Sequence, residues 1–145
     1  MIGLDTNVLA RYYVEDKKDA EAGRQHEAAR RLIESGRPLM VCKTVILEFE
    51  WVLRGYYGFA PDEITTVLRH LLALPHVTIE DRITVEHALS HCDAGIDLAD
   101  ALHHASYRTC ASMASFDDRK FARRAKKLGL APAVIVPTQK ISGES

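Results

Sequence analysis

The chain has 145 residues, enough for one domain with a proper core and too few for two ordinary ones. Hydrophobic residues make up 47% and charged residues 27%, a balance that excludes disorder, and the formal net charge of −1 excludes a global basic field. Three cysteines, Cys42, Cys92 and Cys110, form no close pair in sequence, which argues against a disulfide framework and for a reducing compartment.

Met1 to Leu4 reads as a short strand, and TNVLARYYV after it has helical spacing, with Val8, Leu9, Tyr12 and Tyr13 on one face. The stretch DKKDAEAGRQHEAARRLIESG is rich in helix formers and ends on Gly36, a C-cap. Pro38 introduces a second short strand, LMVCK, and Thr44 is placed to cap the helix VILEFEWVLRGYY, which stops near Gly58. Pro61 or Asp62 starts a helix through Leu74, closed by Pro75. HVTIE is a third strand and ITVEHALSH a helix after it. GIDLADALHHASYR is a further helix, ASMASF a fourth strand, DRKFARRAKKLG a basic helix ending at Gly129, and AVIVP the last strand.

Short strands alternating with helices predict βαβ units and a parallel sheet covered on both faces, a single three-layer α/β domain. The tail TQKISGES looks loose. No basic-then-apolar leader precedes the first strand, and no apolar run approaches the ~20 residues of a membrane span, so a cytoplasmic protein without membrane contact is expected.

Sheets of this kind bind ligands beyond the carboxyl ends of their strands. Asp5 follows the first strand, Glu48 lies near the start of the helix after the second, and Asp117 follows the fourth. Asp97 and Asp100 sit three apart on one helix. Each acid alone has a plain structural explanation: Asp5, Asp97 and Asp117 precede helical runs and could cap them, and Asp100 could be a solvated surface residue. Glu48 has Thr44, Val45, Trp51 and Val52 as helical neighbours, a mostly apolar set that makes a carboxylate costly without a partner. Glu50 is nearly as odd by the same test, so spacing does not choose between them. Together, carboxylates from several segments on one sheet edge would repel without a cation, and a hard divalent ion such as Mg²⁺ or Mn²⁺ takes such oxygen ligands.

The segments GLDTNVLARYY, TVILEFEWVLRGYYGF, GIDLADALHHA and ASFDDRKFARRAKKLG resemble, in order and spacing, the PIN-domain ribonucleases, and among them the VapC toxins of bacterial type II toxin–antitoxin pairs. The resemblance covers residues 1–137, leaving 138–145 as a flexible tail. It implies a three-layer α/β/α domain with a central parallel five-stranded sheet and a Mg²⁺- or Mn²⁺-dependent endoribonuclease, a hydrolase of phosphodiester bonds. It makes Asp5, Glu48 rather than Glu50, Asp100 and Asp117 the catalytic and metal-binding acids. Thr6 and Ser115 become hydrogen-bonding support, Asp97 an outer ligand or a residue that orients one, and Asn7 a support of the loop. The resemblance further implies RNA as substrate, a homodimer, and a cognate antitoxin through which alone DNA is contacted. The chain departs from the family where it reads YRTCAS without a glycine before the fourth strand, and where Asp118 doubles the acid beside Asp117.

Six of the nine residues from Arg119 to Lys127 are basic, and Arg119, Lys120, Arg123 and Arg124 are candidate RNA contacts, against the plainer reading of a solvated helix face. Arg11 and Arg54 are weaker candidates. His87 and His91, four apart beside Cys92, could hold a metal in principle, but no second ligand cluster accompanies them. Tyr12, Tyr13, Trp51, Tyr56, Tyr57 and Phe59 read by spacing as mostly core or partner-facing residues. Two other functions compete. One is a catalytically inactive PIN-like binding module whose acids are caps and surface charge. The other is a phosphotransfer domain using Asp5 as nucleophile, which wants a second acid where Asn7 stands.

Overall fold

A computed structural model describes residues 1–138; the rest of the expected tail lies outside the described residues. The chain divides into two compact units, Met1–Arg82 and a second from Ile83 onward. The first holds β1 (Ile2–Gly3), α1 (Thr6–Tyr13), α2 (Ala20–Ile33), β2 (Leu39–Val41), α3 (Lys43–Gly55), α4 (Pro61–Ala73) and β3 (Val77–Ile79). Helix α5 (Arg82–Asp93) opens the second unit, which continues with α6 (Leu98–Ser106), β4 (Ser112–Ala114), a π-helical turn (Asp118–Ala122), α7 (Arg123–Leu128) and β5 (Ala133–Ile135). Every strand and helix expected from the alternation is present, as an α/β fold with parallel pairing.

The expected five-stranded sheet is corrected by the pairing. In the first unit β1, β2 and β3 form a parallel sheet in that order, with Ile2 opposite Leu39 and Leu39 opposite Val77; in the second, β4 pairs in parallel with β5. Strand β1 is only two residues long, and the Ile2 and Leu4 N–H groups around it donate to Pro38 and Met40 carbonyls of the β2 segment. So short a strand presents few groups with which to ladder a second neighbour.

Apolar burial fixes each helix face. In the first unit Leu9, Leu39, Val41, Ile46, Phe49, Leu53 and Leu71 are fully enclosed, and α1 packs on α2 and α3. Truncating Phe49 to alanine there would cost about 3–5 kcal/mol. Tyr13 of α1 shares a 2.7 Å hydrogen bond with His70 of α4, and burial pushes its phenol above the usual range. In the second unit Val85, Ala88, Ala101 and Ala125 are enclosed with Phe121.

Helix starts follow local chemistry, with one shift. Asp19 accepts the Glu21 N–H at 2.9 Å to begin α2, and Glu63 accepts the Ala60 N–H at 2.8 Å where Pro61 opens α4. Helix α3 starts two residues earlier than Thr44 capping predicts. Its N-cap is Cys42, and the Thr44 hydroxyl instead meets the Cys42 Sγ at 3.2 Å. That contact and the Val45 N–H hold the thiol below its ordinary pKa. None of the three cysteines is in a disulfide.

Candidate metal and RNA site

In the first unit, the turn leaving β1 delivers Asp5 as the N-cap of α1, its Oδ1 accepting the Thr6 N–H at 2.8 Å. The capping role and a ligand role are therefore compatible, because one oxygen is engaged and the side chain stays exposed. Asp5 and Glu48 both line a cavity of about 680 Å³. Thr6 lines it too, yet is only 5% exposed, and its Oγ1 is buried with no hydrogen-bond partner among the described residues. A buried hydroxyl left without a partner beside Asp5 is a group that an ordered water or ligand could answer.

The structure separates the two glutamates that spacing could not. Glu50 is 8% exposed, and its Oε1 accepts from Arg54 Nε at 2.9 Å. Glu48 is exposed, so the burial cost expected from its apolar neighbours does not arise: α3 turns it toward the cavity mouth rather than the core. Pairing with Glu50 also removes Arg54 from the candidate RNA contacts, whereas Arg11 lines the cavity.

In the second unit, Asp97 is the N-cap of α6 but makes no side-chain cap bond, and Asp100 lies in the first turn. Burial, then the neighbouring charges of Asp97 and Asp117, push the Asp100 carboxyl above its ordinary value; His103 and Lys120 pull the other way. Three acids thus crowd one another around α6. Asp117 caps the π-helical turn, its Oδ1 accepting the Lys120 N–H at 3.1 Å, while its own N–H donates to Ser115 Oγ at 3.1 Å. Ser115 thus bonds the Asp117 backbone rather than its carboxylate. Asp118 is exposed at the start of that turn.

Arg119, Lys120, Arg123 and Arg124 are all exposed, and Arg124 also lies over the turn at Gly95, with Nη1 3.4 Å from the Ala94 carbonyl. His104 is 1% exposed and donates Nε2–H to the Pro132 carbonyl at 2.8 Å, leaving Nδ1 without a partner; its ring is 5.8 Å from that of His91. His87 is exposed, and among the described residues no zinc cluster stands at His87, His91 and Cys92.

In each unit taken by itself the candidate donors are carboxylate oxygens, which suit a hard cation, and a cation would offset what burial and the neighbouring charges impose on Asp100. Among the described residues, however, no group of three or more His, Cys, Asp or Glu side chains stands assembled as a metal cluster.

Spacing missed part of the cavity. Trp51 and Tyr56, expected in a core or against a partner, are 65% and 80% exposed and line it. Asn7 and Gln25 line it as well. The signal available was the one-residue step from Asp5 and Thr6 to Asn7 at a helix start, where successive side chains fan around the same end.

A family model described as the PIN domain matches residues 2–127. No curated protein matches the chain. PIN domains are nuclease folds that typically depend on divalent metals.

Proposed function

The chain belongs to the PIN-domain family, and from that premise we propose that it is a Mg²⁺- or Mn²⁺-dependent endoribonuclease, the toxin of a VapBC-type toxin–antitoxin pair working in the cytoplasm. The observation that carries the reading is the half-buried place of Asp100 beside Asp97 and Asp117: burial first, then those two charges, disfavour its carboxylate, as at a ligand site without its cation.

Asp5, Glu48, Asp100 and Asp117 are the proposed ligands. A bound divalent ion would supply Lewis-acid charge and a water of lowered pKa for attack on the phosphodiester. The residues themselves do the positioning. The Thr6 N–H fixes one oxygen of Asp5 and the Lys120 N–H fixes one of Asp117, leaving the second oxygen of each carboxylate for a ligand. Ser115 holds the Asp117 backbone, and Lys120 contributes positive charge beside Asp100. Arg119, Lys120 and Arg123 are proposed to meet RNA phosphates, which predicts salt-dependent binding. Hydrolysis adds water oxygen to phosphorus and releases a ribose oxygen, which takes a proton. The antitoxin and the homodimer are proposed on family grounds; a hollow of about 300 Å³ lined by Val8, Ala28, Ala29 and Leu32 together with Asn7, Arg11 and Gln25 offers a surface for a partner.

Mn²⁺ calorimetry with the purified protein tests the proposal. The expected result is a saturable heat that Asp100→Asn abolishes while circular dichroism stays unchanged, together with Mn²⁺-dependent cleavage of RNA that Asp5→Asn removes. No heat and no cleavage by the parent protein would identify an inactive binding module instead.

A further inference from the structure

The same cavity carries a feature that metal chemistry does not use. Trp51 and Tyr56 leave large aromatic faces in solvent on the rim that also holds Asp5 and Glu48. Tyr56 is braced edge-to-face by Tyr57, with ring centroids 4.8 Å apart at 82°. Holding a tryptophan this exposed forgoes its burial energy, so a ring so placed is available to cover something else. Polar side chains line the same cavity, among them Asp5, Asn7, Arg11, Gln25 and Glu48. The Asn7 amide is unengaged among the described residues, and the Arg11 guanidinium uses Nε on Gln25 Oε1 at 2.8 Å, leaving its terminal nitrogens without partners there.

The chemistry of that lining selects an occupant. An amphipathic helix would want rows of aliphatic anchors, whereas the only aliphatic side chains lining this cavity are Ala10 and Val52. A ligand with a flat π-face and a hydrogen-bonding edge matches aromatic rings beside an amide and a guanidinium. We infer that Trp51 and Tyr56 form a stacking platform for an unpaired nucleobase of the RNA, with Asn7 at the base edge and Arg11 at the adjoining phosphate. A base inside a duplex has its faces stacked and its pairing edge occupied, so only a single-stranded segment can present both. This inference rests on the ribonuclease reading and adds to it which residues choose the substrate.

Trp51 is the sole tryptophan of the chain, so its emission reports on the platform directly. The probes are a single-stranded RNA hexamer and the duplex made from the same sequence, titrated in EDTA so that no cleavage is needed. The expected result is saturable quenching by the hexamer and none by the duplex. By anisotropy of a labelled hexamer, Trp51→Ala and Tyr56→Ala weaken binding about tenfold each, while Trp51→Phe, which keeps a π-face, loses about threefold or less. Gly55 lines the cavity with open space at its Cβ position and no positive φ. Gly55→Leu should therefore block the cavity and weaken binding without lowering the melting temperature. Equal quenching by duplex, or unchanged hexamer affinity in Trp51→Ala and Tyr56→Ala, overturns the platform. The two readings fail separately. Hexamer binding lost in Trp51→Ala without any Mn²⁺-dependent cleavage by the parent upholds the platform and defeats the nuclease, and the reverse pattern does the opposite.

Discussion

Glu48→Gln and Glu50→Gln remove the same charge two residues apart on α3 and should break different things. Glu50 is buried, and its ion pair with Arg54 Nε spans 2.9 Å. Losing a charge-assisted bond costs about 1.5–3 kcal/mol, and the half-exposed Arg54 recovers some hydration, so the lower end applies. At about 2–4 °C per kcal/mol for a domain near this size, melting should fall by about 3–6 °C. Cleavage measured well below that melting point should stay near the parent rate. Glu48 is exposed, and its loss should change stability by no more than about 0.5 kcal/mol. If it holds the cation, however, cleavage should drop by more than about 100-fold, since even outer partners of metal ligands cost about 10–100-fold. Initial rates on a fluorophore–quencher RNA in Mn²⁺, paired with thermal unfolding in EDTA, read both effects. A Glu48→Gln protein that cleaves like its parent, or a Glu50→Gln protein that loses cleavage without a lower melting point, would refute the assignment.

In EDTA, Asp100→Asn should melt above the parent, because the folded state disfavours this carboxylate; adding Mn²⁺ should stabilise the parent and not the variant. Burial, then His104 and His87, lower the pKa of His91 below its ordinary 6.5, so the native state prefers the neutral ring. Its contribution to stability is complete above pH 6.5 and is lost as pH falls from there through the lowered value; melting curves of the parent should drop across that acid window more steeply than those of His91→Gln. Gly95 has φ +95°, and a Cβ there would meet the Arg124 guanidinium. Gly95→Ala should destabilise by about 1–3 kcal/mol in urea unfolding, and an unchanged midpoint would show that the turn and Arg124 give way freely.

The elements were legible because their signals are local: an Asp before a helical run at Asp5 and Asp19, Pro61 at a helix start, Gly129 in the left-handed region at the end of α7. Sheet assembly was not, because a strand as short as Ile2–Gly3 reads the same whether it has one neighbour or two. The roles of Glu48 and Glu50 were hidden for a related reason. Two residues apart on a helix means about 200° of rotation, and with apolar neighbours around both, the sequence does not say which side meets the core. Spacing left Trp51 and Tyr56 as core or partner-facing; their exposure removes the core alternative, which spacing does not decide because large aromatics usually bury their surface.

What distinguishes the proposed ligands from ordinary caps is that they leave the fold less satisfied than it needs to be. Asp19 and Glu63 cap helices, stand in solvent, and incur no evident penalty. Thr6, by contrast, is buried beside Asp5 with its hydroxyl unanswered, and Asp100 is half-buried against two like charges. A protein selected for stability alone would replace that hydroxyl with a methyl group, as in valine, and that carboxylate with an amide, at no cost to either helix. Keeping both makes sense if something bound supplies the missing partners, which is why the metal-free Thr6→Val protein should melt at or above its parent yet bind Mn²⁺ more weakly. If Thr6→Val instead destabilises the apo protein by about 1 kcal/mol or more, the hydroxyl has a partner in solution, such as an ordered water, and its testimony for a ligand is withdrawn.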